Sequence, residues 1–207
     1  RVLISSHGVV IAHFYLTSEK KISVPAGDEL ERQIVEISAT WEDRLRELLL
    51  AASGRQEGLA LYRRYHSAFS ARYQVSTDPA QTMRDIEALE TLRETGHLQV
   101  ALFVDPEDEQ QGTAKLRLYT DGKRMLSDIM PVLDNFGLRV VNSFANHARF
   151  ADGRVDVLET FRFQLDEPEL VRDERRRENF LGALLDVLEG RQADDPLNRV
   201  LIPADLD

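Results

Sequence analysis

Apolar residues recur along the chain in two rhythms, and the switches between them outline the elements. Val9 to Leu16 is rich in Val, Ile, Phe and Tyr, which suits a strand. With Val2-Leu3-Ile4 before it and a turn at His7-Gly8, this predicts a hairpin, followed by a polar loop over 17–27. Leu30, Ile34, Ile37, Trp41, Leu45 and Leu48 then recur at steps of three and four, the period of one helix face. Asp28 and Glu31 suit its start, and Gly54 its end. A shorter helix carries Leu59, Leu61, Tyr62 and Tyr65. A third is marked at both ends, by Asp78 as N-cap, Pro79, Gln81 at the third helical position, and Gly96 as stop.

Beyond Gly96 the rhythm becomes alternation. Leu98, Val100, Leu102 and Val104 predict a strand, Asp105 to Gly112 an acidic loop, and Leu116 with Leu118 a second strand. Leu126, Ile129, Met130, Leu133 and Phe136 mark a short helix that starts near Ser127, because Pro131 is tolerated only near a helix start. Leu138, Val140, Phe144 and Phe150 read as one face of a long strand, turned at Asp152-Gly153 into a returning strand through Val155, Phe161 and Leu165. A last helix carries Phe180, Leu181, Leu184, Leu185 and Leu188 and stops at Gly190.

The order over 114–190 is strand, helix, strand, strand, helix. With Leu98–Val104 or Val200–Ile202 added, this is an α+β ferredoxin-like sandwich, an antiparallel sheet with helices on one face. The expected organisation is 1–53 as hairpin plus long helix (the back half of a preceding domain of the same type), 54–96 as a helical linker, 97–190 as the α+β domain, and 191–207 as the start of a connection. The chain has 207 residues and begins at Arg1 inside a strand-like run, so it reads as a piece of something longer.

Composition narrows the function classes. Against 26 Lys+Arg stand 36 Asp+Glu, a net charge of −10. That excess of acid disfavours nucleic acid and anionic membrane surfaces, both of which need clustered cations. No cysteine is present, so thiol catalysis and thiolate metal sites are excluded. No apolar run reaches the roughly 20 residues of a membrane helix, and the cytoplasm is the expected compartment.

Catalytic motifs are missing. There is no GxGxxG opening a helix, no phosphate-binding loop and no Gly-x-Ser-x-Gly elbow. His7, His13, His66, His97 and His147 form no ligand pair at helical spacing. The acids Asp105, Glu107, Asp108 and Glu109, and the pair Asp194-Asp195, read as solvated loops. Tyr62-Arg63-Arg64-Tyr65 reads as a solvated helix face or an inter-domain contact, and Arg172 to Glu178 as exposed i,i+4 ion pairs. One loop has chemical promise. Thr120 to Met125 leads into a helix N-terminus, whose unpaired N–H groups suit an anion.

The stretch Tyr119-Thr120-Asp121-Gly122-Lys123-Arg124-Met125-Leu126-Ser127-Asp128-Ile129-Met130-Pro131-Val132-Leu133-Asp134-Asn135-Phe136-Gly137-Leu138-Arg139-Val140-Val141 resembles the first strand, helix and second strand of an ACT-type amino-acid-sensing domain. With Trp41-Glu42-Asp43-Arg44-Leu45-Arg46, Phe161-Arg162-Phe163-Gln164-Leu165 and Asp194-Asp195-Pro196-Leu197-Asn198-Arg199 in the same order, the chain is similar to the non-catalytic N-terminal region of the large bacterial NAD-dependent glutamate dehydrogenases. The resemblance implies a regulatory or assembly fragment with no catalytic, metal or cofactor site of its own. In the parent enzyme NAD would be the cofactor, oxidising L-glutamate to 2-oxoglutarate and ammonia. The implied partners are the rest of the parent chain, a homo-oligomer formed through an edge strand such as Leu98–Val104, and an amino-acid effector. In ACT domains that bind effectors a glycine usually ends the first loop. Here Arg124 holds that position and Gly122 lies two residues earlier, so in the implied effector loop of Asp121, Gly122 and Arg124 the cation either crowds a ligand backbone or itself holds a ligand carboxylate. The alternative is a free-standing amino-acid-sensing module, and a third reading is a small enzyme in its own right.

Overall fold

The computed structural model of the chain describes residues 2–4, 10–12, 27–31 and 39–201. The chain divides into two compact units, Arg1–Ala39 and Thr40–Asp207. In the first, β1 (Val2–Ile4) and β2 (Val10–Ala12) pair antiparallel with Val2 opposite Ala12. Residues 27–31 are helical, so the helix is under way before Asp28 and that residue is not its cap. The expected turn at His7-Gly8, most of the 17–27 loop, and Ile34 and Ile37 lie outside the described residues.

The second unit is built on a four-stranded antiparallel sheet. Its strands are β3 (Gln99–Phe103), β4 (Thr113–Thr120), β5 (Val140–Arg149) and β6 (Val155–Gln164), in the order β3-β4-β6-β5. Of the two expected candidates for the fourth strand, the N-terminal one joins the sheet, and 196–201 forms a 3-10 turn instead. The βαββα run is thereby closed by a strand that precedes it. The α+β expectation is borne out.

One face of the sheet carries α5 (Leu126–Asn135) and α7 (Glu174–Leu188). Leu116, Leu118, Phe161 and Phe163 from the sheet meet Ile129 and Leu133 on α5, Phe136 at its C-terminal cap, and Phe180 and Leu184 on α7. Phe136 and Phe180 pack edge to face at 5.8 Å. Between the sheet and α7 lies the short α6 (Glu169–Arg172), which adds Leu170 to this core. Pro131 is the sixth residue of α5. Its missing N–H leaves the carbonyl of the exposed Ser127 without a helical partner, at a place water can reach.

The opposite face is also covered. Residues 41–95, which include most of the expected 54–96 linker, form α1 (Trp41–Tyr65), α2 (Ala71–Ser76) and α3 (Pro79–Thr95). Tyr65, Phe69, Tyr73, Ile86 and Leu89 join Tyr119, Ala148 and Leu158 of the sheet in a second core. Helices therefore lie on both faces, and residues 40–53 belong with this layer. Rings stack through it, Phe69 on Tyr73 at 4.3 Å, with Trp41 edge-on to Tyr73 at 6.5 Å.

Local differences from the sequence reading have identifiable causes. The long helix does not run through from 28. Thr40 caps a new one, accepting from the Asp43 N–H at 3.1 Å while Asp43 accepts the Thr40 N–H at 3.1 Å. The apolar period continues in phase across this break, so it conceals it. Gly54 (φ 74°, ψ 174°) interrupts α1 where the sequence placed a stop. The acidic segment after β3 is the helix α4 (Pro106–Gln111), with Asp105 and Asp108 capping each other's N–H groups and Gly112 left-handed at the end (φ 64°). A bulge between Val140 and Asn142 shifts β5 by one residue against β6. Leu138 and Val140 consequently face the first core, while Phe144 stands beside Thr160 and Phe150 packs in the second. The ion pairs at 169–177 run at i,i+3 (Arg172–Glu169, Arg176–Asp173, Arg177–Glu174) rather than i,i+4.

Candidate functional site

The loop expected to meet an effector joins β4 to α5, and residues 121–127 are all exposed. Gly122 takes φ 78°, and its N–H donates to Thr120 Oγ1 at 3.2 Å. A side chain there would press on Val157 Cγ2 at 3.3 Å. Asp121 is occupied within the loop. Lys123 donates to it through Nζ (2.5 Å) and through its backbone N–H (3.3 Å), which holds the Asp121 carboxyl below its ordinary range. Arg124 does not point to open solvent. Its guanidinium donates to the carbonyl of Leu188, the last residue of α7. It thereby satisfies an orphan helix carbonyl at the negative end of the helix dipole. Arg124→Ala is expected to cost about 1 kcal/mol, with faster amide exchange confined to the last turn of α7. Unchanged exchange there would count against the cap.

A denser group of ionisable side chains lies under α3. Asp85 is fully buried and sits one turn after Gln81. It accepts from the Tyr119 hydroxyl at 2.7 Å, Gln81 Nε2 at 2.9 Å, the Arg117 guanidinium at 2.5 Å and the Tyr73 hydroxyl. Arg117 Nε donates to Thr160 Oγ1 at 3.0 Å, and the guanidinium lies 5.0 Å from the Phe103 ring. Burial and the adjacent Asp85 charge push the hydroxyls of Tyr73 and Tyr119 far above the ordinary tyrosine range. Burial works against the charge of Arg117, but Asp85 and the two tyrosines outweigh it and raise its pKa. With two donors on each oxygen, the Asp85 carboxylate has no lone pair left over for a proton in transit. This is an ordering device that ties α3 to β4 and β6.

A second network holds α4 to the same sheet face. Asp108, expected in a solvated loop, is fully buried and accepts from Thr113 Oγ1 at 2.9 Å. Lys115 Nζ and Arg162 Nε lie 3.1 and 3.0 Å from its carboxylate. Tyr65 likewise leaves the solvated role expected of it. It is fully buried, with its hydroxyl on Glu90 at 2.6 Å. His97 is exposed beside Glu189 at 3.3 Å and His147 is exposed on β5, and among the described residues no group of acids and histidines could hold a metal.

Between α3 and the sheet lies an open cavity of about 530 Å³. Register places Ala101, Arg117, Thr160 and Phe144 in one row across the four strands. Gln81, Arg84 and Ala88 line the cavity from α3 at helical spacing. None of these was singled out from the sequence as a site residue. The available signal was Arg117 between Leu116 and Leu118 on a strand whose two faces are both covered, but coverage of the second face is a long-range fact.

Two segments of the chain match known families. Residues 97–176, β3 to the start of α7, match the model of a family described as the glutamate dehydrogenase ACT3 domain. Residues 48–92, within the layer of α1 to α3, match one described as glutamate dehydrogenase helical motif 2. Among curated proteins, an NAD-specific glutamate dehydrogenase of Pseudomonas aeruginosa is 28% identical over 179 residues, and one of Halomonas elongata is 26% identical over 181. Each alignment covers 86% of this chain and 11% of the relative, so the chain spans about a ninth of the length of these relatives.

Proposed function

We propose that this chain, which matches the glutamate dehydrogenase ACT3 domain and helical motif 2, is a regulatory and assembly region of a large NAD-dependent enzyme and does no chemistry itself. In that reading the parent oxidises L-glutamate to 2-oxoglutarate and ammonia in the cytoplasm, and NAD binds elsewhere in the parent. The observation that carries the proposal is the closed state of two buried carboxylates. Asp85 and Asp108 are saturated by partners from neighbouring elements, as suits groups that fix one packing arrangement rather than turn over substrate.

The assembly half of the reading draws on the sheet edges. Both β3 and β5 end the sheet, and β5 is the barer of the two, with Val141 61% and Phe144 39% exposed. An unpaired strand edge of this kind is suited to a second copy. The sequence reading favoured β3 for that role, and the exposed apolar residues favour β5.

The test is removal of residues 97–190 from the parent chain, with activity, oligomeric state and amino-acid response measured separately. Activity is expected to survive in part while assembly or response changes. A deletion that leaves all three untouched would rule the proposal out, as would NAD-dependent glutamate oxidation by the 207-residue chain alone. Calorimetry of this chain against the common amino acids separates the regulatory fragment from a free-standing sensor acting through Asp121, Gly122 and Arg124.

A further inference from the structure

The cavity under α3 has the attributes of a ligand site, and it is on the opposite side of the sheet from α5 and α7. Two small residues, Ala88 on α3 and Ala101 on β3, line it from opposite walls. The rings of Phe103 and Phe144 add apolar wall. Its volume of about 530 Å³ lies within the ~300–1,000 Å³ usual for small-molecule sites.

The charges around it are unequally committed. Arg117 is neutralised by Asp85, and Lys115 by Asp105 and Asp108. Arg84 is exposed on the rim and, among the described residues, has neither a hydrogen bond nor an ion pair. Asp105 accepts from Lys115 and from α4, and Asp85 is saturated, whereas Asp78 accepts two N–H groups of α3 through Oδ1 alone. One cation is therefore available beside an apolar hollow.

We propose that this cavity binds a monoanionic organic acid with an apolar body, its carboxylate on Arg84 and its body between Ala88, Ala101, Phe103 and Phe144. A carboxylate meeting a guanidinium forms two parallel hydrogen bonds, which fixes its orientation. The proposal goes beyond the regulatory reading and does not rest on it.

The probe is 3-phenylpropionate, titrated into the 207-residue chain by calorimetry and followed by NMR. One saturable site is expected, with amide shifts centred on Ala88 and Ala101. The uncharged 3-phenylpropionamide should bind at least about tenfold more weakly. Arg84→Gln should weaken the acid by about tenfold without moving the unfolding midpoint. Arg84→Lys should retain most of the affinity, and Ala88→Leu should block binding by filling the hollow. Equal affinity for acid and amide, no effect of Arg84→Gln, shifts centred on Gly122 instead, or no binding at about 10 mM would each overturn it. These readouts do not involve the parent enzyme, so failure here leaves the regulatory reading standing, and the reverse also holds.

Discussion

Asp85→Ala is expected to lower the unfolding midpoint of this chain by on the order of 10 °C, through a loss of about 3–5 kcal/mol. Asp85 has no exposed surface and Arg117 is 4% exposed. Deleting the carboxylate strands the Arg117 guanidinium in the second core, where only Thr160 Oγ1 and the Phe103 ring would remain to it. The hydroxyls of Tyr73 and Tyr119 and the amide of Gln81 lose their acceptor at the same stroke. Removing one partner of a buried pair is costly mainly because the other charge stays behind. The double change Asp85→Leu with Arg117→Met should therefore recover a substantial part of the loss. Thermal and urea unfolding check both variants, and a single-mutant loss below about 1 kcal/mol would mean that water reaches the guanidinium.

The fate of Arg117 shows where sequence reading stops. Alternation of Lys115 and Arg117 with Leu116 and Leu118 is the pattern of a strand with one wet face. It correctly located β4, but the polar side is covered by α1 to α3, and the partner carboxylate comes from 32 residues earlier. No local rule joins those positions. Helix α3 was legible for the opposite reason, since Asp78, Pro79 and Gly96 are signals within the element itself, and Asp78 does cap it at 2.8 and 3.0 Å. Gln81 was legible only in part. Its N–H meets Asp78, but its side chain turns to Asp85. Helix α4 carries the same signals, Asp105, Pro106 and Asp108, yet six residues without an apolar stripe give periodicity nothing to count. The loop expected to meet an effector does join β4 to α5, but the engagement of Arg124 by Leu188 depends on where α7 ends, 64 residues away.

Gly58→Ala is expected to destabilise the chain by about 2 kcal/mol, and the sign is the informative part. Gly58 is helical, and in an isolated helix alanine is favoured over glycine by ~1 kcal/mol. Secondary structure alone would therefore forecast a gain. The fold forecasts a loss, because Gly54 reverses the chain within α1 and brings the second arm against the first. A Cβ on Gly58 would lie 2.5 Å from the Leu49 carbonyl oxygen and 2.8 Å from both the Leu49 carbonyl carbon and Leu50 Cα. Those are backbone atoms, so no rotamer change relieves the overlap, and the arms must separate. Separation would draw the buried Leu45, Leu49 and Tyr65 away from the second core. Gly182 in α7 supplies the control, since a Cβ there meets nothing within 4 Å, and Gly182→Ala should show the propensity gain of up to ~1 kcal/mol that Gly58→Ala forfeits. Urea unfolding of the two variants side by side reads the opposite signs directly. Stabilisation by Gly58→Ala would mean that the two arms of α1 do not meet at this glycine.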